Sequence, residues 1–144
     1  MEYKKSNGKI YLRVDPGEDI IEIVHRVCRV QKIRGAIFHG VGSCSEVTIY
    51  TYNPETGEFR EHNYSGFLDM ASLTGDVIET GDDEIMVRAH GVFSYLDSEK
   101  KLQTVGGSIQ KAEIKFTGEL VLSPIEDGLR RRMDIVPNLS VWKF

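Results

Sequence analysis

Arg88-Ala89-His90 and Gly106-Gly107-Ser108 are the segments whose residue types and spacing could do chemistry. Arg88 and His90 stand two apart on a predicted strand, which puts both side chains on one face. Ser108 belongs to the element that follows, where a hairpin partner would lie beside them. An arginine offers a fixed fork of donors, a serine a hydroxyl, and a histidine a donor that titrates near neutral pH. Together they suit an anion, either carboxylate or phosphate. Gly91, Gly106 and Gly107 would let backbone approach such a ligand closely. A plainer account pairs Arg88 with an acid such as Glu113 or Asp69 and makes His90 a hydrogen-bonded structural residue. A short motif without context favours the plainer account.

Other candidates carry less. Gly40-Val41-Gly42 begins like a dinucleotide loop, but Ser45 stands where the third glycine belongs and a strand follows, which rejects the fingerprint. The segment reads instead as a tight β-turn. Ser43, Cys44 and Ser45 offer nucleophile types without a Gly-x-Ser-x-Gly elbow or an assignable base. His39 lies in the apolar run Ala36–Val41 and reads as a core histidine; His62, in Glu61-His62-Asn63, reads as exposed. Arg130-Arg131-Arg132 is the only basic run. Consecutive residues of an extended segment point to different faces, so it makes no single patch. Its arginines are expected to meet Glu126, Asp127 and Asp134. The six tyrosines read as sheet-packing or interface residues.

These residues need a scaffold. A chain of 144 residues suits one domain, and 40% apolar residues suffice for a core. No apolar run approaches the ~18–20 residues of a membrane span, and Met1-Glu2-Tyr3-Lys4-Lys5 leads into no secretory h-region. Cys28 and Cys44 form no metal or redox spacing, as expected of reduced thiols in a cytoplasmic protein. The net charge of −4 lowers the expectation of autonomous DNA binding, which needs a basic face.

One helix is predicted. Asp15 would cap it, Pro16 would take its first position and Glu18 would complete a capping box. Ile20, Ile23, Val24, Val27 and Val30 form its apolar stripe with Cys28 at the edge; His25 and Arg26 fall outside it, and Gly35 would stop it. Everything else reads as short strands: Ile10–Val14, Ala36–Val41, Val47–Tyr52, Phe59–Tyr64, Phe67–Leu73, Ile85–Tyr95, Leu102–Val105 and Ala112–Leu122. Consecutive strands with short turns predict a mostly antiparallel sheet with one main helix packed on it, an α+β single domain over residues 1–144. The alternating tail Leu139–Phe144 predicts a final strand laid on this subunit or a neighbour.

The order of these elements resembles the plants-and-prokaryotes-conserved (PPC) domain family. The resemblance is carried by Leu12-Arg13-Val14-Asp15-Pro16-Gly17-Glu18-Asp19-Ile20, Ile33-Arg34-Gly35-Ala36, Gly40-Val41-Gly42-Ser43 and Gly66–Gly75. Ala89-His90, Gly106-Gly107 and Ala112-Glu113 then follow in order. It runs from about Lys9 to Leu122. It implies a homotrimer and a DNA-binding label that derives largely from plant members with a separate AT-hook; no Arg-Gly-Arg-Pro hook occurs here. Many prokaryotic members carry three histidines able to hold a metal. The matching positions here are Arg88, His90 and Ser108, a poor zinc set. The sequence reading is therefore a non-catalytic homotrimeric binding protein. It has no metal or cofactor and takes a small anion or a protein partner near Arg88, His90, Gly106, Gly107 and Ser108. A DNA-associated regulator and a metal-dependent enzyme with a degenerate histidine site stand as alternatives.

Overall fold

A computed structural model describes residues 1–81, 84–133 and 140–143. Asp134, Leu139 and Phe144, named above, lie outside the described residues. The elements are β1 (Glu2–Ser6), β2 (Lys9–Val14), α1 (Ile20–Val30), β3 (Ala36–Asn53), β4 (Glu58–Gly81), β5 (Glu84–Leu96), β6 (Leu102–Pro124), β7 (Arg130–Met133) and β8 (Ser140–Lys143). The predicted class holds: one helix on an antiparallel sheet.

The topology goes beyond next neighbours. β3 pairs β4, β4 pairs β5, β5 pairs β6, and β6 returns to pair β3, all antiparallel. Four long strands thus close into a ring, and β2 and β1 extend it from the other edge of β6. Several predicted short strands are halves of one long one. Ala36–Val41 and Val47–Tyr52 both belong to β3, whose register slips between Gly40 and Gly42 and again between Cys44 and Glu46. Gly40-Val41-Gly42 is therefore a bulge inside a strand, not a turn. A bulge bends a strand and lets it continue. Phe38, Ile49, Leu68, Met70, Leu73, Phe93, Ile109 and Ile114 fill the interior.

Helix α1 seals this core against β5 and β6. Ile20, Ile23, Val24, Val27 and Cys28 are buried, as its periodicity requires. Val30, expected in the stripe, is 67% exposed. The cap is Asp19, not Asp15. Asp15 and Glu18 do bond each other as a capping box would, the Asp15 N–H donating to Glu18 Oε2 at 3.0 Å. Gly17, however, has φ +81° and donates its N–H to the Ile114 carbonyl at 2.8 Å, so the chain turns there and the helix starts later. At the other end Lys32 takes the left-handed conformation, φ +56°, and ends the helix before Gly35.

The Asp19 carboxylate accepts from Glu22 N–H at 3.0 Å and from Ala112 N–H of β6 at 2.7 Å. Burial holds its pKa above the usual carboxylate value despite these two donors. It joins helix to sheet as well as capping. Asp19→Ala should lower stability by about 1–2 kcal/mol, toward the upper range for N-cap loss because a sheet N–H is orphaned too. Urea unfolding read by circular dichroism checks this.

Candidate functional site

The antiparallel register decides which side chains meet. Asp76 of β4 lies opposite Arg88 of β5, and Thr74 opposite His90. His90 in turn lies opposite Ser108 of β6. Opposed residues share a face, so Thr74, His90 and Ser108 form a row across three strands, with Asp76 and Arg88 two residues along. Between Thr74 and Asp76 sits Gly75. A Cβ there would lie 2.2 Å from the Phe38 ring and 2.3 Å from the Arg88 carbonyl. Only glycine lets the core aromatic press this closely under the site.

Asp76 is buried and Arg88 half-buried. Arg88 Nε donates to Asp76 Oδ1 at 2.9 Å, and Arg88 Nη2 donates to Oδ2, a two-pronged pair. Trp142 of β8 donates its Nε1–H to the same Oδ2 at 2.9 Å. Ile37, Thr74, Gly75, Asp76, Arg88, His90 and Trp142 line one hollow of about 220 Å³. Arg88 and His90 both line this hollow. The plainer account is corrected in its partners: Arg88 pairs with Asp76 rather than with Glu113 or Asp69. Glu113 instead accepts from Ser45 Oγ at 3.0 Å. His90 is exposed, and among the described residues nothing hydrogen-bonds its ring.

The remaining candidates fall elsewhere. Ser108 is beside His90 in register but does not line the hollow, nor do Gly106 and Gly107. Those glycines serve strand packing: a Cβ at Gly106 would meet the Gly91 carbonyl at 2.8 Å, and one at Gly107 the Ile49 side chain at 2.8 Å. His39 is not a core residue. It is exposed because Phe38 takes the inward position and alternation turns His39 out. His62 is half-buried and bonds Thr51 Oγ1 at 2.9 Å. Arg130 pairs with Glu79 rather than with Glu126 or Asp127, its Nε donating to Glu79 Oε2 at 2.8 Å; Arg34 reaches the same carboxylate. The predicted terminal strand is present and lies on this subunit, β8 against β7. Sequence reasoning missed Asp76 and Trp142. An isolated acid in a strand signals nothing until its partner strand is known.

The Plants and Prokaryotes Conserved domain profile matches residues 1–126. The chain belongs to this family. Solved structures agree in fold at low identity. A Bacteroides thetaiotaomicron protein provisionally called DNA-binding is 19% identical with a TM-score of 0.88, covering 99% of this chain and 96% of its own. A Ralstonia eutropha protein with the same provisional description is 21% identical with a TM-score of 0.84, covering 99% and 95%. A metal-containing protein from Archaeoglobus fulgidus is 22% identical with a TM-score of 0.80, covering 99% and 97%. No curated protein matches the chain.

The metal that the PPC resemblance implies does not fit these residues. Arg88 is a cation already bound to Asp76, Ser108 is an alcohol, and His90 alone is an imidazole. Among the described residues no three His, Cys, Asp or Glu side chains cluster as a metal site. No helix among them is long and apolar enough to cross a membrane. Nucleophilic chemistry at Cys44 is disfavoured too. Burial pushes the thiols of Cys28 and Cys44 up to about 12, where the reactive thiolate is negligible.

Two outcomes follow for the PPC fold. A thiol reagent at pH 8 should leave both cysteines unmodified in the folded protein and label both in guanidinium. Arg88→Ala strands the buried Asp76 carboxylate. It should cost about 2 kcal/mol, between a surface pair and a fully buried one because Arg88 is half-buried and Trp142 still donates. Denaturant titration measures it.

Proposed function

We propose that this PPC protein is a non-catalytic, homotrimeric binding protein whose ligand is a small carboxylate held in the hollow of Arg88 and His90. One observation carries the reading. An exposed imidazole without a partner among the described residues stands on the same open face as a guanidinium that a buried carboxylate holds in place. A guanidinium has five N–H donors, and two of Arg88's go to Asp76. The others remain for a ligand. The hollow of about 220 Å³ suits a molecule of a few heavy atoms. Thr74 adds a hydroxyl beside His90.

The homotrimer reading draws on exposed apolar surface. Tyr11 and Val41 are 46% and 53% exposed, and the rings of Phe67 and Phe116, 6.0 Å apart, are more than half exposed. Exposed apolar groups of this size suit an interface between copies. Light scattering should give a trimer mass; a monomer mass overturns this part.

Duplex DNA is the second reading, favoured by the description of the Bacteroides and Ralstonia proteins. It sits less well on this surface. Arg13 pairs with Asp15, Arg34 and Arg130 with Glu79, Arg88 with Asp76 and Lys111 with Glu46. A salt-sensitive mobility shift would support DNA over the carboxylate.

The deciding experiment is calorimetric titration with acetate, benzoate and phosphate. Wild-type protein should bind a carboxylate. His90→Ala should weaken it about tenfold, near 1.4 kcal/mol, while its melting temperature stays unchanged because the ring is exposed. No heat across the panel, or equal binding by the variant, would sink the reading.

A further inference from the structure

We infer that the strand pair β7–β8 forms a detachable wall of the hollow, with Arg131 supplying a second guanidinium to the bound carboxylate and Trp142 a flat apolar side. This rests on the carboxylate reading above and specifies its ligand: a small planar, aromatic carboxylate in preference to acetate or phosphate.

The first support is the idle donor. Arg131 stands opposite Trp142 in the β7–β8 register, so the two side chains share a face. Trp142 reaches Asp76 from that face. The Arg131 Nε–H is shut off from solvent and has no hydrogen-bond partner among the described residues. Buried donors are almost always satisfied, and an orphan asks for an explanation. Its electrostatic surroundings are those of the hollow. Burial lowers the Arg131 pKa first, the Arg88 guanidinium next, while Asp76 opposes them. Arg131 stands outside the residues that line the hollow, but its charge acts on Asp76, which already receives Arg88 and Trp142. The excess is positive, and a second carboxylate would both balance it and take the orphan N–H. A planar carboxylate matches a guanidinium edge better than a tetrahedral anion does.

The second support is how lightly the wall is held. β7 meets the ring in parallel at the single register pair Glu79–Arg130. Around it lie the Glu79 N–H to Leu129 carbonyl bond, 2.7 Å, and the Arg130–Glu79 ion pair. Among the described residues β8 pairs only with β7, and the bond from Trp142 Nε1 to Asp76 joins it to the site. Trp142 is itself 43% exposed. With one backbone register pair to the ring, this wall can shift without breaking the ladders of the ring, and a ligand touching both Arg88 and Arg131 would clamp it.

Trp142 is the only tryptophan, so emission excited at 295 nm reads this wall alone. The experiment titrates the full-length protein with benzoate and acetate, following heat and acrylamide quenching of Trp142. Benzoate should bind at least fivefold tighter than acetate and reduce quenching at least twofold. Arg131→Ala should weaken benzoate about tenfold without lowering the melting temperature of the ligand-free protein, since the substitution removes an unsatisfied donor; an arginine that only braced the fold would lower it. Trp142→Phe should reduce the preference for benzoate over acetate. If wild type binds benzoate in a His90-dependent way but Arg131→Ala binds equally well, or quenching does not change, the wall inference fails and the carboxylate reading survives. If wild type binds neither acid, both fail.

Discussion

A carboxylate buried in the wall of a closed sheet constrains everything around it. Asp76 sits on the face of β4 that looks toward β5, with almost no contact with solvent. An uncompensated charge there would be prohibitive, so its lone pairs must be filled by donors from more than one element. Arg88 supplies two, from the directly opposed position, and Trp142 supplies a third from the far end of the chain. The same requirement fixes the Arg88 fork, brings β8 to the site and leaves His90, two residues on, exposed on the outer face. Glu79 repeats the arrangement three residues later, with Arg34 and Arg130 from two other segments. The two buried acids of β4 thus tie the C-terminal strand pair to the ring at two points.

Those ties explain why a strand pair with so little ladder of its own belongs to the domain. Among the described residues β8 contributes no backbone pairing to the ring, and the β7 contribution is one register pair. Side-chain bonds to buried carboxylates substitute for backbone bonds. They are strong for the area they bury, because charge-assisted bonds in a poorly hydrated place outweigh neutral ones. They are also few, which makes the attachment local rather than cooperative with the core.

The fold was legible in the sequence where one periodicity ran uninterrupted. The stripe Ile20 to Cys28 and the alternation Ile10-Leu12-Val14 each name their buried face, and the structure keeps both. The start of the helix was not legible. Asp15-Pro16-Gly17-Glu18 makes the side-chain bond of a helix start while Gly17 turns the backbone to donate to β6, and only the tertiary partner, the Ile114 carbonyl, reveals this. Strand lengths misled for a related reason. Glycines and register slips that look like ends in one dimension are bends in a sheet that must curve to close. At the site, the spacing of Arg88 and His90 was enough to place them together, because alternation needs no partner strand. Asp76 and Trp142 needed the registers of β4 with β5 and of β7 with β8, which no local pattern encodes.

The chemistry of the site is set by what replaces imidazoles on a shared scaffold. Fold alone does not choose between a metal centre and an anion site. Three neutral imidazoles on this wall would offer lone pairs inward and leave a cation to bring the charge. Here the wall offers N–H groups instead, from the Arg88 guanidinium and the His90 imidazole. Donors of that kind repel a cation and attract an acceptor. Asp76 does not cancel the effect. Being buried behind the fork, it holds the guanidinium in one rotamer and absorbs part of its charge, so a ligand meets an ordered donor edge without first ordering a flexible side chain. An arginine paired in this way has given up strength for orientation, and under the carboxylate proposal orientation is what would select a planar acid from other anions.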